Sequence, residues 1–103
     1  MNKCSFYTLV RKNNKKAAEL IINGYSDGCY YYYKKDTALW FAIHPLLGLS
    51  IAQGNTRKAA QEAANAAHVD AALKRLYNDK TRYKKMGDDF EKCIQELKNN
   101  NRV

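Results

Sequence analysis

The sequence predicts one α+β domain spanning residues 1–103. Three observations predict it: a tyrosine run of high strand propensity at 29–33, an apolar run at 39–44 after a short polar connection, and an alanine-rich helical stretch opening at Thr56. With 103 residues the chain can bury one hydrophobic core but not two, since domains usually run to about 100–150 residues. Its 46% hydrophobic and 27% charged content is that of a folded domain rather than a disordered chain.

Taken in order, Phe6, Leu9, Val10, Ala17, Leu20 and Ile21 recur at spacings of three, four and seven, which predicts a first helix over about 6–22. Ser5 would cap it and Asn23-Gly24 would end it, with Lys12, Lys15 and Lys16 off the apolar stripe. Ser26-Asp27-Gly28 then turns into a strand at 29–33, and residues 35–38 connect it to a second strand at 39–44. A third strand at 49–52 lies between Gly48 and Gly54, completing a three-stranded antiparallel meander. The helix from Thr56 carries Ala59, Ala60, Ala63, Ala64 and Ala67, small side chains that permit close approach to a sheet. Asp70 would cap a long C-terminal helix or helix pair, interrupted at Gly87-Asp88, with 99–103 fraying.

If Asp36 and Thr37 are the hairpin turn, Tyr33 opposes Trp40 and Tyr32 opposes Phe41. That register sends Tyr30, Tyr32, Phe41 and Ile43 towards the helices and leaves Tyr31, Tyr33 and Trp40 on the other face, beside Lys34 and Lys35. Such a face either stacks on bases or anchors a partner, or is covered by the C-terminal helix as a second core layer.

The junction Gly54-Asn55-Thr56-Arg57-Lys58-Ala59-Ala60 resembles the strand-to-helix junction of double-stranded-RNA-binding domains, whose helix, three strands, helix order it would share. The resemblance implies that Thr56, Arg57 and Lys58 grip phosphates at a helix N-terminus; Gln61 stands where that family has a third basic residue. The same start also resembles the arm-binding domain of phage-type integrases, whose three-stranded sheet reads DNA.

Eighteen Lys/Arg against ten Asp/Glu give a net charge of +8, a field that draws nucleic acid, acidic proteins or anionic lipid. Lys74, Arg75, Lys80, Arg82, Lys84 and Lys85 form the densest basic stretch, and Lys74, Arg75 and Arg82 join the candidate binding residues. No apolar run reaches membrane-spanning length and no signal-peptide core follows Met1, so a cytoplasmic protein is expected. The odd, widely spaced Cys4, Cys29 and Cys93 fit reduced thiols. Cys29 beside His44, with Cys4 nearby, offers zinc ligands only at loose spacing, so no metal or other cofactor is expected. No phosphate-binding glycine loop, nucleophile elbow or metalloprotease helix is present, and the chain reads as a non-enzymatic binding protein.

In its Lys, Asn and Tyr usage, and in Ile43-His44-Pro45 followed by 48–52, the chain resembles small phage and mobile-element proteins of low-GC Gram-positive bacteria. That resemblance implies an anti-CRISPR-type inhibitor docking on a host nucleic-acid-processing complex, such as a CRISPR effector nuclease. The other expectation is a basic module binding double-stranded RNA or DNA through the sheet face and the Thr56 helix start.

Overall fold

The computed structural model describes residues 1–100. Five strands, β1 (Asn2–Lys12), β2 (Lys15–Ser26), β3 (Tyr31–Asp36), β4 (Leu39–Ile43) and β5 (Ser50–Gly54), precede three helices, α1 (Arg57–Ala64), α2 (Ala67–Asn78) and α3 (Lys80–Asn100). The strands form one antiparallel sheet in sequence order, so the α+β class and the long C-terminal helix are those the sequence predicts. The expected three-stranded meander is extended to five strands, and the alanine-rich helix ends at Ala64, with Ala67 exposed at the start of α2. The tail expected to fray is helical at Asn99 and Asn100, and 101–103 lie outside the described residues.

The first helix is a correction, because 6–22 lie in a two-stranded hairpin. Asn13 and Asn14 have φ of 53° and 62°, the two positive values a type I′ turn requires, and Asn tolerates them better than most residues. β1 and β2 then pair from Lys12↔Lys15 to Asn2↔Ser26, with one irregularity between Cys4 and Phe6. Both faces of this hairpin are covered in part, with Leu20 and Ile22 left exposed, so its apolar residues do not alternate cleanly. Phe6, with Cys4 and Ile21, packs on Tyr33 and Ile43, while Ala18, with Tyr7 and Leu9, packs under Phe90 and Ile94 of α3.

The sheet is joined between β2 and β3 only at Tyr25↔Tyr32 and Ser26↔Tyr31. It therefore curls, and β1 reaches the loop after β4: the Leu9 N–H and the Thr8 hydroxyl both donate to the Gly48 carbonyl, at 2.9 and 3.0 Å. Gly48 has φ +67°, and a Cβ there would collide with the Phe90 ring. On the opposite face α1 buries Ala60 and Ala64 against Tyr32 and Ala42. A Cβ on Gly54 would strike the α1 backbone at Ala59 and Ala60, so the glycine and the alanines together set the short helix-to-sheet distance.

The helical break is also corrected. Gly87-Asp88 lies inside α3, and the interruption falls at Asp79, whose carboxylate accepts from the Arg82 N–H at 3.2 Å as an N-cap does. Asp70 sits in the first turn of α2 rather than at its cap, and His68 is helical and exposed.

Candidate nucleic-acid interface

The β3–β4 register decides what the tyrosine run can do. Tyr33 opposes Phe41 and Lys34 opposes Trp40, with an irregularity between Lys34 and Asp36 and with Asp36↔Leu39 closing the turn. The turn residues are Thr37 and Ala38, and the Asp36 carboxylate accepts from the Ala38 N–H at 3.0 Å. This is one residue from the expected register, and one residue exchanges the faces of the pair. Tyr31 and Tyr33 therefore lie with Phe41 and Ile43 against Phe6, and Tyr33 is buried. The expected trio of Tyr31, Tyr33 and Trp40 is split. Its tyrosine face is covered by the N-terminal hairpin and not by α3.

Trp40 turns to the α1 side, where its ring lies 6.0 Å from Tyr25. The Arg57 guanidinium sits 4.2 Å above the Tyr25 ring, a cation–π contact, and an open depression of ≈ 490 Å³ is lined by Tyr25, Trp40, Thr56, Arg57, Lys58 and Gln61 among others. Four residues chosen from sequence thus meet here. Two are already engaged: Thr56 Oγ1 accepts from the Ala59 N–H at 3.0 Å as the α1 cap, and Arg57 is half-buried on Tyr25. Lys58 is exposed.

Beneath the depression Asp27 ties the β2–β3 turn to α1. Its carboxylate accepts from the Cys29 and Tyr30 N–H groups at 2.9 Å, from the Tyr32 hydroxyl at 2.7 Å and from Gln61 Nε2 at 3.2 Å. Burial would raise this carboxyl, but the hydrogen bonds from Tyr30, Tyr32, Cys29 and Gln61 outweigh it and hold it below its usual value. Burial, and then the bond to Asp27, push the Tyr32 hydroxyl strongly up.

Lys34 and Lys35 are exposed and line a different depression, with Glu19, Leu20 and Ile22 where β2 and β3 part. Arg75 and Arg82 are brought together at the α2–α3 corner, where Asp79 lies between them, and Lys74 is paired with Asp70 at 2.9 Å.

Sequence reasoning missed the hairpin tip. Arg11 opposes Lys16 and Lys12 opposes Lys15, and all six residues from Arg11 to Lys16 are exposed. Like charges directly opposite destabilise a strand pair. The ion pairs among the described residues are Lys74–Asp70 and Lys84–Asp88, so none of the four tip cations is within ion-pair distance of a described carboxylate, although Asp89 of α3 lines a small cavity with Lys16. The available signal was Asn13-Asn14, a turn pair set centrally between two basic pairs.

His44 is buried, 4% exposed, among Tyr30, Tyr77 and Tyr83. Its Nδ1 accepts from the Leu46 N–H at 3.2 Å, which leaves the proton on Nε2 to be donated to the Tyr77 oxygen at 2.9 Å. Burial pushes its pKa down. With both ring nitrogens engaged, His44 holds α2 to the loop after β4. The three thiols are free, burial pushes those of Cys4 and Cys93 up, and among the described residues no three His, Cys, Asp or Glu gather as a metal site would need. No helix among the described residues is long and apolar enough to cross a membrane.

No protein-family model, curated protein or solved structure matches the chain.

Proposed function

We propose that this protein acts without catalysis, as a basic module that binds nucleic acid through the β1–β2 hairpin tip, supported by the cations at the α1 start and the α2–α3 corner. The observation that carries the reading is the facing of Arg11 with Lys16 and of Lys12 with Lys15. An arrangement that opposes folding, on a chain of net charge +8, suits a polyanion that supplies the missing counter-charge. The test is fluorescence anisotropy on labelled DNA and RNA across a range of salt concentrations. A straight fall of log affinity against log salt is expected, and absence of binding at low salt would reject the reading.

A second reading is favoured by Leu20 and Ile22, which are 45% and 68% exposed on β2 and have no use to a phosphate backbone. It is the inhibitor function: a phage or mobile-element protein docking in the bacterial cytosol on a host nucleic-acid-processing complex of the CRISPR effector type. Here purified protein should block guide-directed DNA cleavage, and Ile22→Asp should relieve the block. Unchanged cleavage at saturating protein would reject it.

A further inference from the structure

Resting on the nucleic-acid reading, we infer that the β1–β2 hairpin is a finger for the major groove of B-form DNA, with Asn13 and Asn14 at its crest meeting base edges. The dimensions argue for this. The exposed tip has three residues on each arm, and the two beyond Lys16, whose carbonyl meets the Cys93 thiol of α3, project about 7 Å at about 3.4 Å per residue, most of a groove depth of about 8.5 Å. That groove is about 12 Å wide and admits a two-stranded ribbon.

The charges are placed to match. Opposed residues share a face of the ribbon, so Lys12 and Lys15 project to one side while Arg11 and Lys16 project to the other. Each face thus carries two cations: the Lys12–Lys15 pair is clear of α3 and meets one phosphate wall, and the Arg11–Lys16 pair, on the α3 side where Asp89 adjoins Lys16, meets the other. The crest is uncharged and exposed, and an asparagine amide can bridge N6 and N7 of adenine. A rigid mount is present: behind the tip, Ala18 is clamped under Phe90 and Ile94, and β1 is bonded to Gly48. Double-stranded RNA offers no equivalent, because its A-form major groove is deep and too narrow for side chains to read.

The experiment uses the full chain and matched DNA and RNA duplexes of one mixed sequence, with polyglutamate as an acidic polypeptide probe. DNA is expected to bind at least about tenfold more tightly than either. Replacing all four tip cations with threonine (R11T, K12T, K15T and K16T) should abolish that preference and lower the salt slope by about 3–4, at roughly 0.9 per lost phosphate contact. Asn13→Gly with Asn14→Gly keeps a turn that tolerates positive φ, and should erase discrimination between A·T-rich and G·C-rich duplexes by weakening binding to the A·T-rich one, with the salt slope unaltered. Cooperative melting at temperatures no lower than that of the native protein confirms that the variants fold. Equal or tighter binding of RNA or polyglutamate would overturn the groove inference, as would an unaltered salt slope in the fourfold variant. In those cases salt-dependent nucleic-acid binding elsewhere on the surface would leave the broader reading standing, whereas no binding to either duplex at low salt would remove both.

Discussion

The Phe6 ring lies flat on the Tyr31 ring, with centroids 4.6 Å apart and planes 6° from parallel. Tyr33 meets the same phenylalanine edge-on at 6.0 Å, so one residue of the hairpin holds two of the tyrosine run. Phe6 is 5% exposed, and Phe6→Ala should cost about 3–5 kcal/mol, the usual range for emptying a buried aromatic site. Chemical denaturation measures this. A loss below about 1 kcal/mol would mean that the hairpin is not seated on the sheet.

The same contact explains which parts of the fold were legible in the sequence. β3, β4, β5 and α1 announce themselves through tyrosines, glycines and alanines whose preferences are strong and local. Phe6, Leu9, Val10, Ala17, Leu20 and Ile21 do not. A hairpin that packs on Tyr33 and Ile43 through one face and on α3 through the other, each in part, loses its alternation, and the remaining spacings imitate a helical stripe. The site was legible where residues are near in sequence, as for Thr56, Arg57 and Lys58. Its aromatic part turned on a register that Thr37-Ala38 set one residue away from Asp36-Thr37, which moved Tyr31 and Tyr33 into the core and left Trp40 alone beside α1.

Asp27 provides a second measurable point, because Tyr32 is wholly buried and its hydroxyl donates to that carboxylate. Asp27→Ala should cost about 1–3 kcal/mol, chiefly through the orphaned hydroxyl. In a Tyr32→Phe background the same substitution should cost less, and equal costs in both backgrounds would show that the two groups are uncoupled. The pH effect follows from the lowered carboxyl: its contribution is complete above the unfolded value of 3.8 and is lost as pH falls through the lower folded value. Acid unfolding of the native protein should therefore begin below that value, and Asp27→Asn should reduce this component.

His44 acts at milder pH. Its folded pKa is depressed by burial, so the unfolded chain takes up a proton first as pH falls below 6.5. Its contribution is complete above 6.5 and declines from there towards the lower folded value, because a proton on Nδ1 removes the acceptor that the Leu46 N–H uses and loosens the loop after β4. Of the groups around it, the Tyr30 and Tyr77 hydroxyls are pushed up, chiefly by burial, Tyr83 packs edge-on against the ring, and Asp70 is close enough to act on Tyr30 and Tyr77. His44→Asn keeps an acceptor for the Leu46 N–H and does not titrate. Melting temperature followed between about pH 5 and 7 should slope in the native protein and lie flatter in the variant; equal slopes would assign the effect to other groups.

The hairpin tip allows stability and binding to be set against one another. Lys12 and Lys15 oppose each other and neither forms an ion pair among the described residues, so Lys15→Glu turns a repulsive cross-strand pair into an attractive one. The fold should gain roughly 0.2–1 kcal/mol at low salt, and the gain should shrink as salt screens the exposed pair. Nucleic-acid binding should move the other way, with the salt slope lower by about 1 for the lost phosphate contact and a further loss of affinity from repulsion. A residue serving only the fold cannot give this pair of results, because its replacement by a better partner would raise stability and leave binding alone. A higher melting temperature with weaker binding is therefore the expected signature of a tip kept basic for its ligand. A stabilised variant with unaltered affinity would move the contact surface away from the hairpin, to the Arg57 and Lys58 patch or the Arg75 and Arg82 corner.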